Sequence, residues 1–256
     1  MMKKSLSILF VFFYMVSFAQ WGEINNEEVL KYRIHYGLLT AGYVTLTTQN
    51  TNYHGKPHFH VKGVGRSSGA VRAFFKLDDI YESYIDTSTG LPSFYVRNVS
   101  EGSYRRNFAS TFNHSQHSVS LYNRITGDTR VFDVPAKIQD MMSAFYYLRN
   151  IKTDSLKPGS VVRMNIWIDD ETYPFLLKVV GKDIVNTKFG KIECLKIIPS
   201  VMSGRVFKDK EGVTMWVTND ANHIPVQMKA ELLVGALKAD LVSYSNIKHP
   251  LHVIKK

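Results

Sequence analysis

A single cysteine, Cys194, stands in the 256 residues, so no intrachain disulfide can form and no cysteine-based metal cluster is available. Acidic side chains are short against basic ones, 22 against 32, which leaves a formal charge of +10. Chemistry-bearing motifs are missing as well. There is no HExxH, no paired CxxC and no glycine-rich phosphate loop ahead of a helix. Beyond the N-terminus, no apolar run is long enough to span a bilayer. These absences weigh against zinc and nucleotide chemistry, and the sequence leans away from an enzyme without naming a reaction. No cofactor and no metal are expected. The composition itself, 45% apolar and 21% charged, is that of a globular chain able to bury a sizeable core.

The strongest positive signal is at the start. Met1-Met2-Lys3-Lys4 is a short basic head, residues 5–18 form an almost unbroken apolar run, and Ser17-Phe18-Ala19 supplies the small residues a signal peptidase reads. Cleavage after Ala19 is expected. The run is too short for a spanning helix, and no cysteine follows it, which excludes a lipoprotein anchor. The expectation is a protein exported to the periplasm or cell envelope of a bacterium, with no transmembrane segment in the mature chain.

Period-two alternation dominates the remainder. Leu30, Tyr32, Ile34 and Tyr36 alternate with Lys31, Arg33 and His35; Val162, Met164, Ile166 and Ile168 alternate with Arg163, Asn165 and Trp167; Val226, Met228, Ala230 and Leu232 alternate with Gln227, Lys229 and Glu231. Each run reads as a strand with one face on a core. Polar turn clusters at 52–57, 86–90 and 219–222 separate such runs, which argues for an antiparallel all-β fold. One helix is expected over 140–150, capped by Asp140 and ended by Asn150, with Met141, Ala144, Phe145 and Leu148 on the packed side.

The chain also resembles itself. Gly55-Lys56 recurs as Gly190-Lys191, and Ser68-Gly69-Ala70-Val71 as Ser203-Gly204-Arg205-Val206, both at an offset of 135; Leu91-Pro92 recurs as Ile224-Pro225 at 133. The implied architecture is two similar curved-sheet or half-barrel units, 20–134 and 159–256, joined by a linking helix and turn at 135–158 and able to form one continuous domain. Such units must cover their apolar faces. The enclosed volume is either solid core or a ligand cavity.

Candidate binding residues follow. Tyr146 and Arg149 fall on the helix side away from Phe145 and Leu148, where they can meet a ligand headgroup or, in Arg149's case, pair internally to fix the helix. Between 97 and 130 the basic residues Arg97, Arg105, Arg106, Arg124 and Arg130 outnumber Glu101 and Asp128, interleaved with Tyr95, Tyr104, Phe108 and Tyr122. That mixture can mean nucleic acid. For an exported chain, anionic lipid or envelope glycan is the better match, and a solvated basic face the plain alternative. His58, His60, His114 and His117 read as solvated strand residues, the acidic runs at 78–79 and 169–171 as strand-end turns.

Several segments carry a family resemblance. They are Tyr36-Gly37-Leu38 with Ala41-Gly42, Asp79-Ile80-Tyr81-Glu82-Ser83, Asp140-x-x-Ser143-Ala144-x-Tyr146-x-Leu148-Arg149, Trp216-Val217-Thr218-Asn219-Asp220 with Ile224-Pro225-Val226, and Gly235-Ala236-Leu237-Lys238-Ala239. In these the chain resembles the bacterial exported family of domain of unknown function 3108, across nearly all of its mature length. The resemblance implies export and a β-rich fold; it carries no activity. The expected function is binding of an apolar or amphiphilic envelope ligand without catalysis. A glycan- or protein-binding scaffold module stands second, a hydrolase third.

Overall fold

A computed structural model of the chain describes residues 24–201 and 212–254. The expected leader, its expected cleavage point after Ala19 and the repeat match at 203–206 lie outside the described residues.

The first run of elements is β1 (Val29–Tyr36), β2 (Leu39–Tyr53), β3 (Lys56–Ser67), α1 (Gly69–Phe74), β4 (Asp78–Asp86), β5 (Pro92–Glu101), β6 (Tyr104–Asn113), β7 (Ser118–Asn123) and β8 (Thr129–Asp133). After it come β9 (Gln139–Asp140), α2 (Met141–Arg149) and a 3-10 turn (Thr153–Ser155). The last run is β10 (Val161–Ile168), β11 (Glu171–Thr187), β12 (Gly190–Val201), β13 (Val213–Thr218), β14 (Pro225–Glu231) and β15 (Ala236–Ser245). The fold is all-β, as the alternation predicts. All fifteen strands share one sheet in the order β8-β7-β6-β5-β4-β3-β2-β1-β15-β14-β13-β12-β11-β10-β9. Neighbours are antiparallel except β9 and β10, which run parallel. The first and last long strands stand side by side mid-sheet, with β1 between β2 and β15.

The sheet is open, with β8 and β9 as its edges. Side chains bring the two ends together. Arg97 of β5 donates to Asp169 at 2.5 Å, Arg130 of β8 donates to Asp170 at 3.1 Å, and the Trp167 indole of β10 donates to Ser110 of β6 at 3.0 Å. Phe132 of β8 packs on Trp167 with ring centroids 5.2 Å apart. These contacts bury Trp167, which the alternation of 162–168 puts on the outer face. His35, also expected outward, is buried because its ring bonds to Asp240 of β15 and to the Gly37 carbonyl, both at 2.8 Å.

A bulge between Val179 and Gly181 exchanges the faces of β11. Before it, Leu177 and Val179 pack with Leu148, Leu195 and Ile197; after it, Val185 packs with Ile192 and Cys194 in the larger core. Period two therefore predicts the strand but not one constant buried side.

Two α-helices are found among the described residues, where the sequence reading expects one. The unexpected α1 begins at Gly69, whose φ of +54° suits glycine, and packs over β2. In α2 the Asp140 carboxylate accepts from the Met142 and Ser143 amides at 2.7 and 2.8 Å, and Ser143 Oγ accepts from the Asp140 amide at 2.8 Å. This reciprocal cap satisfies helix donors that have no partner within the helix. The expected one-sided helix is corrected: Met142, Ser143, Ala144, Tyr146, Leu148 and Arg149 are all buried, while Met141 is exposed. The helix lies inside the curve of the sheet, so most of its circumference meets protein.

Candidate functional site

The inner face of β3 loses its side chains step by step. Phe59 and Val61 fill the core, and the next two positions on that face are Gly63 and Gly65. Across the space from them stand α2 and, toward the end of the sheet, α1. A Cβ on Gly63 would lie 3.2 Å from both Leu46 and the Met142 methyl, so Gly63 lets α2 approach. A Cβ on Gly65 would meet nothing nearer than 3.7 Å. The result is an apolar groove in two connected lobes of about 380 and 190 Å³. The lobes share Ile34, Val44, Leu46, Tyr81 and Met142; Phe145 and Met228 close the inner one, Val71, Phe75 and Leu237 flank the outer one. The larger lobe falls in the size range of small-molecule sites, and its lining is of the apolar kind such sites favour.

Few polar groups reach this groove. Asp79 lines its outer lobe and accepts from the Ser100 amide at 3.0 Å. Burial, with Asp79's charge and hydrogen bond, raises the neighbouring Glu101 carboxyl above its ordinary range. Other hollows differ. One of about 390 Å³ mixes Arg33, Lys188, Gln227 and Asp240 with Val185, Val226 and Leu241; one of about 620 Å³ is a shallow basin against the tail segment 250–254.

Beneath the groove α2 is locked by charge. Arg149 donates to both oxygens of Glu28, at 2.5 and 2.8 Å, and through Nε to the Asn222 carbonyl at 3.1 Å; both ionic side chains are wholly buried. Its guanidinium sits 5.3 Å from the Tyr146 ring. Burial pushes the Tyr146 and Tyr32 hydroxyls well above the ordinary tyrosine range. At the other end of α2 the Asp140 carboxyl, fully buried and also bonded by Ser83 at 2.6 Å, is raised to about 6, with desolvation outweighing its hydrogen bonds.

The four residues singled out from sequence are thus not brought together. Tyr146 and Arg149 are inside the body, and Arg149 spends its donors on Glu28 and Asn222. Arg105 and Arg106 are exposed on β6, Arg105 donating to the Gly102 and Tyr104 carbonyls and Arg106 lying over Tyr104. Nor do residues 95–130 form one face: Tyr95 and Phe108 are core, and Arg97 reaches across to Asp169. His58 bonds to Ser93 and His60 to Glu82. The Cys194 thiol is buried and pushed up to about 12, chiefly by desolvation. Sequence reasoning missed the groove residues, whose signal was the pair Gly63 and Gly65 on the core side of a strand. It also missed Glu28, for which a separation of 121 positions from Arg149 left no local signal.

Residues 31–242, from β1 into β15, match the family described as protein of unknown function (DUF3108). The chain belongs to the DUF3108 family. No curated protein matches this DUF3108 chain. Among solved structures it is similar to a beta-barrel-like protein of domain of unknown function DUF1849 from Brucella abortus, with 9% identity over 86% of this chain and 97% of that one and a TM-score of 0.57. The "putative lipoprotein" of Parabacteroides distasonis ATCC 8503 aligns over 88% and 98% of the two chains at 8% identity, with a TM-score of 0.36. The first likeness places this DUF3108 member among barrel-like β folds and speaks of fold alone.

Proposed function

We propose that this chain is an exported protein of the bacterial envelope that holds an apolar or amphiphilic ligand, without catalysis, in the groove between β1–β4 and α2. The carrying observation is the groove itself, opened by Gly63 and Gly65 and lined almost wholly by apolar side chains. The basic head, apolar run and small residues at 17–19 support export. In this reading Tyr146 and Arg149 position α2 over the ligand, and Arg105 and Arg106 stand outside the groove as cations for its surroundings.

The sheet is read here as two similar units, 20–134 and 159–256, linked through 135–158. In support, β1 and β10 are both 8 residues long, the long β2 and β11 follow them with 15 and 17, and β3 and β12 both have 12.

Native mass spectrometry of the exported protein after mild purification tests the ligand. Bound mass that disappears on organic extraction, and that Gly65→Leu prevents by filling the outer lobe, is expected. Wild type that neither carries such mass nor takes up an added fluorescent fatty acid overturns the reading.

A further inference from the structure

The turns at the two ends of the sheet differ in chemistry. At one end they are polar: His54-Gly55, Thr87-Ser88-Thr89, His114-Ser115-Gln116 and Asp220-Ala221-Asn222. At the other end the β1–β2 turn offers Leu38, α1 offers Phe74, and the β14–β15 turn offers Leu233 beside Val234. Leu38, Leu233 and Phe74 are 101, 94 and 92% exposed. These tips belong to neighbouring elements, since β14, β15, β1 and β2 are consecutive in the sheet and α1 packs on β2. Tyr36 ties two of them by donating to the Val234 carbonyl at 2.9 Å. The groove's outer lobe, flanked by Phe75, Tyr43 and Leu237, lies at the same end.

Cations stand just behind the tips. Arg66, Arg72 and Lys76 gather on one carboxylate, Asp78, at 3.7, 2.9 and 3.9 Å, so three positive charges share one negative. On the next hairpin Arg105 and Arg106 form no ion pair among the described residues. Apolar tips with a basic collar set back from them match the layering of a lipid surface, hydrocarbon beneath anionic phosphate.

We propose that this end of the molecule docks on an anionic lipid bilayer, with Leu38, Phe74 and Leu233 entering the acyl boundary and the collar meeting the phosphates. A second copy of the chain is a poorer occupant, because two copies of one basic surface would set collar against collar. Docking does not require a ligand in the groove, so the two readings fail separately.

The test is flotation of the exported, leader-free protein with phosphatidylglycerol-containing vesicles against vesicles of phosphatidylcholine alone. Wild type is expected to float with the anionic vesicles and to release as salt is raised. The triple variant Leu38→Glu, Phe74→Glu, Leu233→Glu is expected to lose at least about tenfold in partitioning. Val131→Glu with Ile184→Glu, at exposed strand positions away from the tips, is the control expected to bind as wild type. All variants are checked for an unchanged melting temperature. In Leu233→Cys the native thiol of Cys194 is buried, so an environment-sensitive dye reports the new position, with a blue shift expected on anionic vesicles. Wild type that does not float, a triple variant that floats equally, an unshifted dye, or tips found instead to hold a dimer by sedimentation would each overturn the proposal.

Discussion

Three buried ionisable side chains, Arg149, Glu28 and Asp140, tie α2 into the body. Removing one partner of the Arg149–Glu28 pair strands the other without water. Arg149→Met or Glu28→Gln alone is expected to cost about 3–5 kcal/mol in urea unfolding, and the double variant substantially less than the two losses added. Asp140 gives a pH signature. Its carboxyl is raised to about 6 in the folded protein, so between roughly pH 4 and 6 the unfolded chain releases a proton that the folded one keeps, and stability falls as pH rises through that window before levelling above it. Asp140→Asn retains a cap acceptor and removes the ionisation. Unfolding midpoints measured across that window are expected to rise relative to wild type by an amount equivalent to about 2–3 kcal/mol. At this scale the sequence was half legible. Asp140 reads as a cap because its partners are two and three residues away, whereas Arg149 and Glu28 meet only through the fold.

Among the elements, β3 and α2 make the groove jointly, one by withholding side chains and the other by approaching. A Cβ on Gly63 meets Leu46 and Met142 at 3.2 Å, so Gly63→Val is expected to overpack and cost about 1–3 kcal/mol. Gly65→Ala finds ordinary contacts from 3.7 Å and is expected to leave the melting temperature nearly unchanged. Calorimetry of the two variants separates the tight position from the open one. The strands themselves were legible wherever one face met the core and the other met water, as at Leu30 and Tyr32. The pattern misled where a second layer covers the outer side, as at Trp167, and where the β11 bulge exchanges faces. Helix α1 was missed for a different reason: six residues with none buried leave no apolar period to read.

For the whole molecule, the placement of β1 beside β15 has the widest effect. Hydrogen bonds run from the first half of the chain into the second at the middle of the sheet, from Val29↔Ser245 to Tyr36↔Leu237. The larger core draws on both halves, from Leu30 and Val61 to Val185 and Ile192, while a smaller one lies within the second half. Thermal unfolding is therefore expected as one cooperative transition, with circular dichroism and tryptophan fluorescence coinciding; two resolved melts would show halves that fold apart. The two ends of the sheet meet differently. Among the described residues Arg97–Asp169, Arg130–Asp170 and Trp167–Ser110 are side-chain contacts, and the ladder ends on either side of them. In a body laced in this way the girth is fastened by a few side-chain stitches, while the rungs of the backbone ladder all lie to one side or the other of the seam.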